Sequence, residues 1–334
     1  MRVLRGIAIG AGAALAAVAV VVAMVEVAGR RSYADVALPD IAATITPAAV
    51  ERGAYLVNAV AHCPACHLPQ PAASQFDPQR RPNLVGGHRW ELAFGTVYSP
   101  NITSSVTAGI GAWSDGEIAR VLRTGVRRDG SLSAFMVAGV GHLADNDIAA
   151  IIAYLRSQPA VDVAVPASRS NFLGRVVAAF FARPRLEESE LATAPPTAAT
   201  PERGGYLAHG PTNCVGCHSP SGLRSAFRPA APELAGGVPA PDVTDPAMEI
   251  VAPNLTPDPT TGVIYFWPED VFVQRFRGGR VVAGSPMPWE AFAGMSDTDL
   301  TAIWRYLRTI DPIRNEVGPT HRPVGRTVGS FPAP

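Results

Sequence analysis

The chain is 334 residues long, enough for two domains with separate cores or for one large one. Its 28 basic and 28 acidic residues cancel, which argues against nucleic acid or any strongly charged partner. Hydrophobic residues make up 47%, much of it alanine, beside 32 prolines and 31 glycines, so the composition is that of a loop-rich protein organised around something other than a large apolar core.

From Gly6 to Val25 the chain carries no charge, and Arg2 and Arg5 precede it. That length suits a bilayer-spanning helix. A cleaved signal peptide is the alternative, but its apolar region is shorter and is followed closely by small residues. Here Glu26 and Arg30-Arg31 follow, and the nearest small-x-small site, Ser32-Tyr33-Ala34, lies further on. Residues 1–31 are therefore expected to be a retained transmembrane anchor, and the arginines on both sides of the apolar stretch do not set its orientation.

The rest of the chain is one module written twice. Glu51-Arg52-Gly53-Ala54-Tyr55-Leu56 returns as Glu202-Arg203-Gly204-Gly205-Tyr206-Leu207, and Ser99-Pro100-Asn101-Ile102-Thr103 as Ala252-Pro253-Asn254-Leu255-Thr256. Trp113 pairs with Trp267, Arg123 with Arg277, Met136 with Met287, and Tyr154-Leu155-Arg156 with Tyr306-Leu307-Arg308. The expected divisions are an anchor at 1–31, one domain at 45–158, a linker at 159–199, a second domain at 200–312 and a proline- and glycine-rich tail at 313–334.

Each module opens with a capping threonine before proline, Thr46-Pro47 and Thr200-Pro201, which predicts a helix start. Gly53 and Gly204 inside these helices cost about 1 kcal/mol each relative to alanine. Close approach of a second helix would justify that cost. The candidate partners are the last helices, where Ile148, Ile151, Ile152 and Leu155, and Leu300, Ile303, Trp304 and Leu307, fall at i, i+3, i+4 and i+7. Ser296 caps the second of these, whereas module one has Ala144 there and is expected to fray at that start. Ser114-Asp115-Gly116-Glu117 and Pro268-Glu269-Asp270 begin a shorter helix in each copy. Strand-like alternation is almost absent, so the expected architecture is all-α with long loops. Within the linker, the apolar stretch 171–181 is expected to pack between the modules.

All four cysteines sit in Cys63-Pro64-Ala65-Cys66-His67 and its repeat Cys214-Val215-Gly216-Cys217-His218. C-x-x-C-H is a covalent haem attachment signature. Two thiols one helical turn apart add to the two vinyl groups of one porphyrin, and the next residue presents imidazole to the iron. A zinc ribbon would need both pairs within about 15 to 20 residues, and a redox dithiol would need a βαβ context. Neither condition is met, and two covalently bound haem c groups are expected; cysteines that carry haem require an exported body, which puts it on the periplasmic side of a bacterial inner membrane.

The second axial ligand decides what a haem iron does. Met287 sits between Pro286 and Pro288 shortly before the last helix, which suits a ligand on a rigid loop, and Met136 is its counterpart without the following proline. His142, six residues after Met136, competes with it as the ligand of module one. His62, His88 and His209 read as hydrogen-bonding histidines. Arg123 and Arg277 are candidate partners for haem propionates, and Trp113 and Trp267 for the haem edge.

On Arg52-Gly53-x-Tyr55-Leu56, Phe94-Gly95-Thr96-Val97-Tyr98-Ser99-Pro100-Asn101-Ile102-Thr103, Gly109-Ile110-Gly111-x-Trp113-Ser114 and the run from Arg123 to Gly130, the chain resembles the multihaem cytochrome c subunits of membrane-bound periplasmic dehydrogenases that oxidise alcohols, gluconate or aldehydes. Members of that family often carry three haem modules, and this chain has two. The resemblance implies two class I cytochrome c domains, His/Met ligation by His67 with Met136 and His218 with Met287, and electron relay from a partner dehydrogenase toward quinone or a terminal oxidase. A dihaem enzyme, such as a peroxidase or a thiosulfate dehydrogenase reacting at the first haem, is the alternative.

Overall fold

The computed structural model describes residues 2–133, 135–136, 140, 142–186, 191–220 and 232–325, without the side chains of residues 2–11. Val137, which follows Met136, and the last part of the tail lie outside the described residues. Helix α1 (Arg2–Ala28) leads. In module one α2 (Pro47–Tyr55) continues through a π-helical turn, Leu56–Val60, to the short α3 (Pro64–His67) that carries the first cysteine motif. Helices α4 (Asp115–Thr124) and α5 (Asp145–Ser157) complete it, and α6 (Phe172–Phe180) lies in the expected linker.

Module two repeats the order. Helix α7 (Pro201–His209) leads to α8 (Cys214–His218), followed by α9 (Val263–Phe266), α10 (Glu269–Arg277), α11 (Trp289–Phe292) and α12 (Asp297–Leu307). The helix starts follow the sequence. Thr46 Oγ1 accepts from Ala49 N at 3.2 Å, Thr200 Oγ1 accepts from Arg203 N at 3.3 Å, and Ser114 with Glu117 forms a reciprocal capping box.

The buried stripes pack as expected. A Cβ on Gly53 would overlap the Ala150 carbonyl oxygen of α5, and one on Gly204 the Ala302 carbonyl oxygen of α12. Glycine thus lets α2 lie against α5, and α7 against α12, at backbone contact. Leu56, Ile148, Ile151 and Ile152 of module one join Leu207, Leu300 and Leu307 of module two in one continuous core.

Two features correct the expectation of an all-α protein with a membrane-spanning N-terminal helix. Each module also carries a three-stranded antiparallel sheet. The first is β1 (Arg89–Leu92), β2 (Gly95–Tyr98) and β3 (Arg169–Ser170), and the second is β4 (Pro239–Pro241), β5 (Met248–Val251) and β6 (His321–Pro323). Strands of two to four residues, several with proline or charge, are too short to display a period of two. Furthermore, among the described residues no helix is long and apolar enough to cross a membrane. The described side chains of α1 begin at Gly12, and its last turns carry Glu26, which pairs with Arg30 and Arg175.

The stretch 171–181 does not pack between the modules. Helix α6 lies against α1, where Arg175 meets Gly29, and Gly174 lies against the Phe94 carbonyl of the β1–β2 turn. Its Phe172 and Leu173 are about half exposed. The start of α5, expected to fray, is held from outside: Asp145 N donates to Leu191 O at 2.9 Å and Asn146 N to Ala192 O at 3.3 Å.

Candidate haem centres

Each cysteine motif is a single helical turn at the end of the module's first helix, so both thiols and the histidine leave the same short element. His67 and His218 are buried, 9% and 8% exposed. His67 Nδ1 lies 2.8 Å from Pro100 O, and His218 Nδ1 lies 3.0 Å from Pro253 O. A carbonyl only accepts, so each contact fixes the proton on Nδ1 and leaves the Nε2 lone pair free to bind a metal. Burial lowers both imidazole pKa values, which keeps the rings neutral and fit for coordination.

The repeated Pro-Asn-x-Thr segments are what present those carbonyls. Asn101 Oδ1 accepts from Thr103 N at 2.9 Å and Thr103 Oγ1 at 2.7 Å, while its Nδ2 donates to Val161 O at 2.8 Å and Val163 O at 3.1 Å. Asn254 repeats this with Thr256 N at 2.9 Å, Thr256 Oγ1 at 2.8 Å and Ile313 O at 2.7 Å. Gly86 and Gly236, at φ 72° in each case, lie against the Pro100 and Pro253 carbonyls and donate their amides to His67 O and His218 O at 2.8 and 2.7 Å. Sequence reading registered the Pro-Asn repeat but not this role, because the carbonyl that orients each histidine lies more than thirty residues away in the chain.

In module one these elements enclose a cavity of about 500 Å³, lined by Cys63, Cys66, His67, Met136 and Trp113 among mainly apolar groups. That volume and lining suit a cofactor of porphyrin size, and the donor set is thioether-forming thiols, imidazole and thioether sulfur. The chain thus brings together Cys63, Cys66, His67, Trp113 and Met136 of its predicted first-module residues. His142 is not in the lining; its side chain is exposed and its carbonyl faces Gly210. Arg123 is not there either. It pairs with Asp145 at the start of α5.

Arg127 lines the cavity instead, with its pKa lowered by burial. Its distance of four residues from Arg123, one turn beyond the helix, left no signal in the sequence to separate the two. His62 also lines the cavity, its ring edge-on to Phe292 at 5.4 Å, and burial lowers its imidazole to about 4. Burial raises the thiols of Cys63 to about 12 and of Cys66 and Cys214 to about 11, and Cys217 in the same direction.

In module two, Met287 and Trp267 pack against the same core as Cys214. Met287 N donates to Ser285 Oγ at 3.4 Å, and Trp289 Nε1 donates to the same oxygen at 3.3 Å. Arg280 donates to the Ser285 carbonyl and holds Glu290 with two nitrogens at 2.8 and 2.6 Å. Arg277, the other candidate propionate partner, donates to Ala293 O at 2.7 Å and pairs with Asp297. Residues 221–231, which follow the second motif, lie outside the described residues.

The chain is 30% identical over 292 residues to a nicotinate dehydrogenase subunit of Pseudomonas putida, a match covering 84% of this chain and 23% of that protein. It is 31% identical over 286 residues to the cytochrome c subunit of the alcohol dehydrogenase (quinone) of Gluconacetobacter polyoxogenes, covering 80% and 57%. A diheme cytochrome c-type protein of Cereibacter sphaeroides is 30% identical over 207 residues, covering 58% and 63%. The chain therefore spans less than two thirds of the length of these relatives. No family model matches it. With histidines oriented for metal in two cysteine turns and a cavity of cofactor size, these relations set the chain beside the cytochrome c subunits of dehydrogenases and imply covalently bound haem c.

Proposed function

We propose that the chain is a dihaem electron carrier, with one haem c in each of two domains, 45–158 and 200–312, that takes electrons from a partner dehydrogenase on the periplasmic side and passes them toward quinone or an oxidase. The observation that carries the reading is the duplication of one built site: a cysteine turn, a buried histidine held by a proline carbonyl, and a methionine at the matching place in each module. Each haem supplies one-electron redox chemistry at an iron whose potential follows its axial ligands and its burial.

The residues have separable tasks. Cys63 and Cys66, and Cys214 and Cys217, anchor the two groups. His67 and His218 offer Nε2 as one axial ligand, and Met136 and Met287 offer sulfur as the other. Thioether ligation raises the potential and fills the last position, which favours outer-sphere transfer over small-molecule chemistry. Arg127, the cation lining the first cavity, is assigned to a haem carboxylate, a task for which a planar donor fork is suited. Arg123 and Arg277 hold the starts of α5 and α12 instead. Trp113 covers the cavity edge, and Trp267 takes the same place in module two.

The two halves of the linker and the tail belong to the modules they follow. Val161 and Ile313, 152 residues apart, strap the two Pro-Asn turns, and β3 and β6 complete the two sheets.

Spectroscopy of the purified protein tests the function. Two haems per chain, both low-spin when reduced and slow to bind carbon monoxide, are expected. Met136→Ala removes the methionine-to-iron absorption band from one haem and Met287→Ala removes it from the other. Rapid stoichiometric carbon monoxide binding at one haem of the parent protein, with turnover of peroxide, would replace electron relay by enzymatic chemistry at the first site.

A further inference from the structure

Arg52 and Tyr55 on α2, and Arg203 and Tyr206 on α7, stand at matching places of the repeat and outside the lining of the first cavity. The contacts of the two tyrosines cross between the modules. Tyr55 Oη donates to Asp299 Oδ2 at 2.7 Å and accepts from Ser296 N at 3.1 Å, both at the start of α12. Tyr206 Oη donates to Asp147 Oδ2 at 2.7 Å and accepts from Ala144 N at 3.2 Å, both at the start of α5.

Each of these carboxylates is also held from its own module. Arg52 Nε and Nη2 reach Asp147 Oδ1 at 3.0 and 2.9 Å, and Arg203 Nε reaches Asp299 Oδ1 at 2.9 Å. Asp147 is 2% exposed, while Arg203 and Asp299 are 0% exposed. The carboxylates sit at the third position of their helices, where an acidic side chain ordinarily closes a capping box on the N-cap amide. Here a hydroxyl from the other module stands between carboxylate and amide, accepting from one and donating to the other.

We infer that Tyr55 and Tyr206 are positioning residues forming a reciprocal latch: each closes the helix cap of the opposite module, and together they hold the second cysteine turn as a wall of the first haem cavity. Asn213, Gly216 and Cys217 of that turn line the first cavity. Tyr206 lies two turns upstream of Cys214, on the helix that delivers it. The contact is matched from the other side, where His62, the residue before Cys63, packs on Phe292. His62 and Asn213 occupy the same place in the repeat and share a left-handed backbone, at φ 41° and 51°. Fixing α2 and α7 against each other's capped helices therefore fixes the two haem-attachment turns relative to one another.

Hydrogen–deuterium exchange on the haem-loaded chain tests the latch through Tyr55→Phe and Tyr206→Phe. The effects must cross. Tyr55→Phe speeds amide exchange at 296–299 by about five-fold or more and leaves 144–147 nearly unchanged, and Tyr206→Phe does the reverse. Faster exchange confined to the module that carries the substitution, or in neither, overturns the latch. Should Tyr206→Phe fail to accumulate, Tyr55→Phe decides alone.

The consequence for electron relay rests on the dihaem reading. In protein with two haems per chain, the double variant Tyr55→Phe/Tyr206→Phe slows transfer between the haems about ten-fold or more, with each haem's own absorption spectrum unchanged. An unchanged transfer rate overturns the positioning role. A haem content of one per chain sinks the dihaem reading and leaves the crossed exchange to decide the latch.

Discussion

Around Met287 the chain spends three arginines: Arg280 grips Glu290 and the Ser285 carbonyl, Arg275 stacks over Trp289 at 3.7 Å, and Arg277 holds Ala293 O at 2.7 Å. Around Met136 the described supports are its own amide on Ser133 O at 3.1 Å and the stack of Phe135 on Trp90 at 4.9 Å. The histidine side of the two sites repeats contact for contact, down to the glycine beneath each proline carbonyl. Duplication thus preserved the scaffold that orients each histidine and let the loops that carry Met136 and Met287 diverge. On the dihaem reading, stiffness of that loop, rather than identity of the ligand, is where the two haems are expected to differ.

The largest effect tests what the modules share. Gly204→Val sets a branched side chain against the Ala302 carbonyl, and Gly53→Val does the same at Ala150. Backbone cannot yield as a flexible side chain can, so each is expected to cost about 3 kcal/mol or more. Thermal melting and haem content should fall together and by similar amounts in the two variants. A variant of either glycine that melts within a degree or two of the parent would show that the helices can separate without loss.

A second substitution attacks the difference. Arg280→Ala leaves Glu290, only 17% exposed, without its bidentate partner and frees the Ser285 carbonyl. Loss of about 1–3 kcal/mol from the loop is expected. The second haem should then bind carbon monoxide at a rate approaching that of the first, while its histidine side stays intact. An unchanged rate would mean that Met287 is held by Pro286 and Pro288 alone.

Signals that act within a turn of helix were legible in the sequence. Thr46, Thr200 and Ser114 cap where their spacing said they would, and Gly53 and Gly204 mark the helix contacts their cost implied. Contacts made across the repeat were not. Arg123 and Arg127 differ by four residues, and only the fold decides that one meets Asp145 and the other the cavity. Tyr55 and Tyr206 were visible as a repeat, yet nothing local reports that each is used by the opposite module. The sheets escaped for a related reason: β3 and β6 come from the linker and the tail, two or three residues each, and are strands only because a hairpin is there to receive them.

The latch can also be weakened without mutation. Burial, with Asp299 adding to it, raises Tyr55 to about 12, and burial with Asp147 raises Tyr206 as well. In the unfolded chain tyrosine ionises near 10. The folded state therefore holds a proton that the unfolded state releases, and its contribution is complete below pH about 10 and lost as pH rises toward 12. For Tyr55 this amounts to about 3 kcal/mol. Melting curves across that window should fall more steeply for the parent than for Tyr55→Phe, and parallel curves would remove Tyr55 from the account.

The smallest effect repairs one module with the other's chemistry. Helix α12 begins at Ser296, whose Oγ accepts from Asp299 N at 3.1 Å, whereas α5 begins at Ala144 with no side-chain cap. The backbone at the two N-caps is alike, φ −66°, ψ 150° and φ −67°, ψ 154°, so a serine at 144 meets the Asp147 amide without rearrangement. The neighbouring tyrosine is no obstacle, because Tyr55 already sits 3.4 Å from Ser296 Oγ in the other module. Ala144→Ser should stabilise the chain by about 0.5–1 kcal/mol, read as a rise in melting temperature and slower exchange at 145–147. Leu191 O and Ala192 O already take the next two amides of α5. If Ala144→Ser leaves both readings unmoved, those carbonyls from the linker do for module one what serine does for module two, and the two caps are equivalent by different means.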